Sequence, residues 1–175
     1  HSLVVPSEKA HLLTFQNIKG DISVTACYLA PVLPEADSEA SQELSLSRQY
    51  LQNGKATTQL QQGAEIKVVL EYKVNSNAPN GPYLICDYLP AGLDYVRMDR
   101  DASGNSIWLS NEVNGKQTFS IYKGNHQDKV APSGKIVYIA RVKMPGSFHA
   151  EGAYIQHGDH QKVVHVLDSQ KITIQ

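Results

Sequence analysis

Long apolar runs are absent from this 175-residue sequence. No segment approaches the roughly 18 unbroken apolar residues of a membrane-crossing helix, which argues against insertion into a bilayer. Charge of one sign is also missing. Lys and Arg number 16 and Asp and Glu 17, scattered to a net charge of −1, so no basic track exists to follow a phosphate backbone and nucleic acid is not an expected partner. Cysteine is scarce. Cys27 and Cys86 lie far apart without the C-x-x-C spacing of a redox motif or zinc knuckle. The sequence leaves open whether they form a disulfide or stay as buried thiols. Catalytic fingerprints are lacking too: there is no G-x-S-x-G, H-E-x-x-H, phosphate-binding loop or dinucleotide motif, and no nucleophile or base stands out. The chain reads as a non-enzyme with no cofactor. It opens on His1 with neither an initiator Met nor an apolar leader, which predicts a piece of something longer.

What the sequence does contain is period-2 alternation. In EIKVVLEYKV, Ile66, Val68, Leu70, Tyr72 and Val74 share one face while Glu65, Lys67, Glu71 and Lys73 share the other, as in a half-buried strand. KIVYIARVKM repeats the pattern, with Ile136, Tyr138, Ala140 and Val142 opposing Lys135, Arg141 and Lys143. HLLTFQN, DISVTACYL, LSLSRQYL, SIWLSNEV, QTFSIYKG, KVVHVL and KITIQ are further strand candidates. Between them stand Asn53-Gly54, Asn80-Gly81-Pro82, Ser103-Gly104-Asn105, Asn114-Gly115 and Pro132-Ser133-Gly134, reversals that leave little room for helices. The pattern predicts an all-β protein, an antiparallel immunoglobulin-like sandwich of about seven to nine strands. APVLPEADSEASQE, residues 30 to 43, breaks the rhythm and reads as a linker. It divides residues 1–42, a strand or hairpin too small to be stable alone, from a sandwich over 43–175.

One corner is distinctive. In YLICDYLPAGLDYV the strand must end at Pro90, which has no N–H to give a ladder, and Gly92 permits a positive φ. Leu89 and Leu93 can then both turn inward and plug the open end of the sandwich. Geometry alone accounts for the motif.

The same residues carry a resemblance. SRQYL with Arg48 and Tyr50, Gly63 with AEIKVVL, the run Asp87, Leu89, Pro90, Gly92 and Leu93, and IVYIARVKMPGSF with Tyr138, Arg141, Pro145, Gly146 and Phe148 are similar in order and spacing to the last domain of the bacterial alpha-2-macroglobulin family. The resemblance extends over residues 12 to 148. It implies a non-catalytic macroglobulin-like domain at the C-terminus of a protease-trapping protein in the periplasm or at the cell surface. Its partners would be the other domains of its own chain, above all a thioester domain that it packs against and releases on cleavage, and target proteases through the parent. Two departures stand out. The family's Tyr-x-Pro after the GSF segment is replaced by AYIQHGDHQKVVH, and the thioester Cys-x-x-Gln is absent, since Cys27 is followed by YLA and Cys86 by DYL. The alternative is an immunoglobulin-like adhesin or cell-wall module.

Two clusters carry candidate chemistry. His157, Asp159, His160 and His165 fall within nine residues and could in principle ligate zinc, but their spacing matches no recurrent closed or catalytic site, and a hairpin tip tolerates such residues. No metal is expected. Asp87, Asp94, Asp99 and Asp101 gather around the corner, where strand-end acids ordinarily bond to turn amides or face water. DRDASGNS resembles a calcium loop in part, yet Glu112 reaches the twelfth position only after an intervening strand.

Overall fold

The structure, a computed structural model, describes residues 14, 16, 17, 19, 20, 40–99, 102, 108–113, 115–124 and 133–175, with backbone alone at 40, 41 and 108–113. The chain divides into two compact units, His1–Val32 and Leu33–Gln175. Most of the first, including Cys27 and nearly all of the hairpin expected over 11–29, lies outside the described residues. Within it Asn17 and Gly20 have positive φ, 55° and 88°.

The second unit begins with a single 3-10 turn, Ala40–Glu43, and continues in strands: β1 (Leu44–Gln52), β2 (Lys55–Ala56), β3 (Gln59–Leu60), β4 (Glu65–Val74), β5 (Gly81–Tyr88), β6 (Leu93–Met98), β7 (Trp108–Val113), β8 (Lys116–Lys123), β9 (Ser133–Val142), β10 (Gly146–Ala150), β11 (Tyr154–His157), β12 (Val164–Val166) and β13 (Gln170–Ile174). They build two five-stranded sheets, β2-β1-β4-β9-β6 and β12-β11-β5-β8-β7, and a three-stranded one, β10-β13-β3. Every pairing is antiparallel except β13 with β3. The fold is the all-β sandwich expected from the alternation. Thirteen strands are described where seven to nine were expected, because short pieces such as β2 and β3 of two residues fill out the sheet margins.

The core lies between the two larger sheets. From the first come Leu44, Leu46, Tyr50, Ile66, Val68, Leu70, Ile136, Tyr138 and Ala140, and from the second Tyr83, Ile85, Phe119, Ile121 and Ile155. The rings of Phe119 and Tyr138 stack across the interface with centroids 5.8 Å apart. On the far side of the first sheet, ion pairs Lys67–Asp99, Lys135–Glu71 and Arg141–Glu65 line the surface, with the apolar Val69, Val137 and Ile139 buried among them. The Asn53-Gly54 reversal between β1 and β2 has φ of 52° and 76°, the two positive angles of a type I′ turn.

Candidate functional site

Period-2 alternation on β1 turns Leu44, Leu46, Arg48 and Tyr50 inward together, so a guanidinium enters the core by the same rule that buries the leucines. On β5 the equivalent inward series is Tyr83, Ile85 and Asp87, and on β9 it includes Tyr138. The three meet. Arg48 Nη1 donates to Asp87 Oδ1 at 2.6 Å, Tyr138 Oη donates to Asp87 Oδ2 at 2.5 Å, and Arg48 Nη2 donates to the Ala150 carbonyl at 3.2 Å. Asp87 has no exposed surface, which corrects the expectation that the strand-end acids bond to turn amides or face water. A carboxylate moved out of water needs charged or hydrogen-bonding partners, and here both oxygens have one.

This arrangement sets the proton affinities around it. Burial acts to lower the Arg48 guanidinium, but Asp87 beside it prevails and leaves it raised. Burial, reinforced by the Asp87 charge, holds the Tyr138 hydroxyl well above its ordinary value and pushes Tyr50 up as well. The guanidinium keeps its charge and the phenols keep their protons. The cluster therefore joins β1 and β9 of one sheet to β5 of the other.

At the corner, β5 stops at Tyr88, and Leu93 N donates to the Pro90 carbonyl at 2.9 Å to close the turn. Leu93 is buried and Leu89 packs on the core from a half-buried position. Gly92 has a different reason from the one the sequence suggested. Its φ is not positive; instead a Cβ there would meet Ile174 Cδ1 at 2.6 Å and Phe148 Cε2 at 2.7 Å. Phe148 follows Pro145 and Gly146, both exposed, and Gly146 has a φ of 144°. Thus the fourth resembling segment touches the third. Arg141 stands apart, on the solvent face, donating to Glu65 Oε1 at 2.8 Å.

The histidine cluster brings the His157 and His160 rings within 4.8 Å of each other but gathers no set of three ligands among the described residues. His157 ends β11 and is buried, not on the exposed turn where the sequence suggested it. Its Nδ1 accepts from the backbone N–H groups of Asp159 at 3.1 Å and His160 at 3.0 Å, so its other nitrogen, 3.0 Å from the Asn80 carbonyl, carries the proton and donates. Both ring nitrogens are thereby occupied by the protein. Asp159 and His160 are exposed, and His165 sits on β12 opposite Ile155. Among the described residues no group of three or more His, Cys, Asp or Glu is placed to hold a metal. Next to His157, the loop between β4 and β5 is held by side chains. Buried Lys123 donates to the carbonyls of Ser76, at 2.8 Å, and Ala78, and Tyr83 Oη donates to that of Pro79 at 2.7 Å.

Of the other acids, Asp94 pairs with Lys143; Asp99 accepts from Lys67 Nζ at 2.8 Å and from the Ala102 amide at 3.3 Å. Asp101 lies outside the described residues. Cys86 is a free, buried thiol in a small second cluster with Tyr154 and Val164. The sequence had marked Asp87 and Tyr138 but not their partnership with Arg48, nor Lys123 and Gln117, which are buried polar residues too. The available signal was positional: Arg48, Asp87 and Gln117 each stand two residues from an inward apolar residue.

These features define an immunoglobulin-like β-sandwich braced internally by a buried ion pair. Its fold is similar to that of bacterial alpha-2-macroglobulins. One such structure is native alpha-2-macroglobulin from Escherichia coli spanning domain MG7 to the C-terminus, with TM-score 0.61 and 19% identity over 83% of this chain and 24% of that one. Escherichia coli alpha-2-macroglobulin activated by porcine elastase superposes at TM-score 0.58 and 18% identity, over 83% of this chain and 14% of that. Salmonella alpha-2-macroglobulin reacted with methylamine gives 0.57 and 15%, over 83% and 10%. The chain thus spans a quarter or less of each of these three structures. No family model and no curated protein matches the sequence.

Proposed function

We propose that residues 43–175 are the C-terminal macroglobulin-like domain of a bacterial alpha-2-macroglobulin-type protein, and that residues 1–42 are the end of the preceding sandwich and its linker. The domain is non-catalytic. It serves a larger protease-trapping molecule of the periplasm or cell surface by packing against a thioester-type domain and letting go when the trap is cleaved, a two-state interface biased by proteolysis. One observation carries this reading. The segments that resemble the family, distant in sequence, supply the residues of one buried site: Arg48 and Tyr50, Asp87, and Tyr138. A motif whose members meet in the core and are consumed by one another is accounted for by a shared scaffold and needs no reaction to explain it. The likeness in fold over 83% of the chain supports the same reading.

The test has two arms. The coding sequence on either side of this stretch should specify one long chain with a thioester Cys-x-x-Gln segment upstream; tandem copies of the sandwich or a cell-wall sorting signal would instead mark an adhesion module and sink the proposal. That long chain, treated with elastase, should block digestion of a large protein substrate while leaving a small peptide substrate accessible. The 175-residue chain alone should block digestion of neither substrate.

A further inference from the structure

Four buried side-chain atoms around the Arg48–Asp87 pair find no hydrogen-bond partner among the described residues: Arg48 Nε, Tyr50 Oη, and both amide atoms of Gln117. They are not scattered. Gln117 stands directly opposite Asp87 in the β5–β8 ladder, and cross-strand partners of this kind project to the same face about 5 Å apart. Tyr50 follows Arg48 on the inward face of β1, with the guanidinium carbon 5.6 Å from its ring centroid. Gln117 has no exposed surface and Tyr50 only 2%. One unsatisfied polar atom in a core is unusual, and four around one carboxylate call for a common cause.

We propose that this end of the core is a built hydration site, in which buried water is bound on both flanks of the Asp87 carboxylate, against the Gln117 amide on one side and against Tyr50 Oη and Arg48 Nε on the other. Gln117 offers two donors and one acceptor, Tyr50 a donor and an acceptor, and Arg48 Nε a donor. A water molecule with two to four such partners is held as part of the structure. The consequence is that the lock between the sheets is a hydrated network. The inference concerns this chain's own interior and stands whether or not the parent protein traps proteases.

The deciding measurement is made on the wild-type 175-residue chain: diffraction data sharp enough to show other buried waters should show density within about 3.2 Å of the Gln117 amide and of Tyr50 Oη. Such data with dry density at both groups would overturn the proposal. Substitution supplies an independent sign. If the amide binds water, Gln117→Met removes those bonds and lowers Tm by on the order of 2–6 °C. If the amide is an orphan, the same change relieves a buried polar group and leaves Tm unchanged or higher, which contradicts the proposal. Tyr50→Phe, losing only a hydroxyl, should likewise lower Tm.

Discussion

Asp87 is the residue on which the others depend. Its carboxylate is the shared acceptor of Arg48 and Tyr138, so its removal strands a guanidinium and a hydroxyl in the core at once. Breaking one partner of a buried pair costs about 3–5 kcal/mol, whereas replacing both by apolar residues of like volume is often close to neutral. Asp87→Ala should therefore lose about 3–5 kcal/mol in urea denaturation, and Asp87→Leu with Arg48→Met should lose less than that single change. A loss below about 1 kcal/mol for Asp87→Ala would mean the pair is not buried as described. This also explains how far the site could be read in advance. Asp87, Tyr138, Arg48 and Tyr50 were each visible in the sequence as members of resembling segments. Their meeting was not, because the strand pairings that bring residues 48, 87 and 138 together are set by the packing of two sheets and leave no local trace. His157 shows the converse: local spacing suggested a ligand on a turn, but the ring is spent on backbone groups. A long-range nitrogen–proton NMR spectrum should find its proton on Nε2 and its lone pair on Nδ1; the opposite tautomer would contradict the contacts with Asp159, His160 and Asn80.

At the scale of elements, two glycines hold joints where a side chain has no room. In the Pro90–Leu93 corner, Gly92 lies under Phe148 and Ile174, and an added methyl must displace a half-buried ring. Gly92→Ala should cost about 1–3 kcal/mol as an overpacking change. The cost should shrink in a Phe148→Ala background, where the obstructing ring is gone; additive effects in that double-mutant cycle would refute the contact. Gly81 starts β5 with a φ of 137°, and a Cβ would come within 2.8 Å of His157 Nε2. Gly81→Ala combines backbone strain with loss of the His157–Asn80 bond, and amide exchange in the β4–β5 loop and the β11–β12 hairpin should quicken together. Strong strands such as β4 and β9 were legible because ten residues of alternation average out local exceptions. The strands β2 and β3 were not, since two residues carry no period; their pairing is conferred by the neighbouring ladder.

For the whole molecule, the charged groups and the tyrosines set opposite limits on stability. On the acid side, Arg141 with Arg97 holds the exposed Glu65 carboxyl below its ordinary value, a contribution present above that value, screened by solvent and lost as pH falls. The alkaline side is governed from within. Burial with the Glu43 charge pushes the Tyr83 hydroxyl up to about 12, burial with a hydrogen bond to Cys86 brings Tyr154 to about 12, and burial raises Tyr50 and Tyr138 further. In the unfolded chain these phenols titrate near about 10. The folded state binds the protons more tightly, so below pH of about 10 both states are protonated and the contribution of these groups is fully present and does not vary with pH. Between about 10 and 12 unfolding releases protons and is favoured by each further rise. Because the four hydroxyls lie in both large sheets, their effects fall on a single cooperative transition, and the urea midpoint should decline steeply over that window. Tyr138→Phe cannot ionise, so its own contribution to the decline should vanish even though it loses the bond to Asp87 at neutral pH. A midpoint that stays flat from pH 9 to 12, or a Tyr138→Phe chain that declines as steeply as wild type, would show that folding does not hold these phenols to their protons as described.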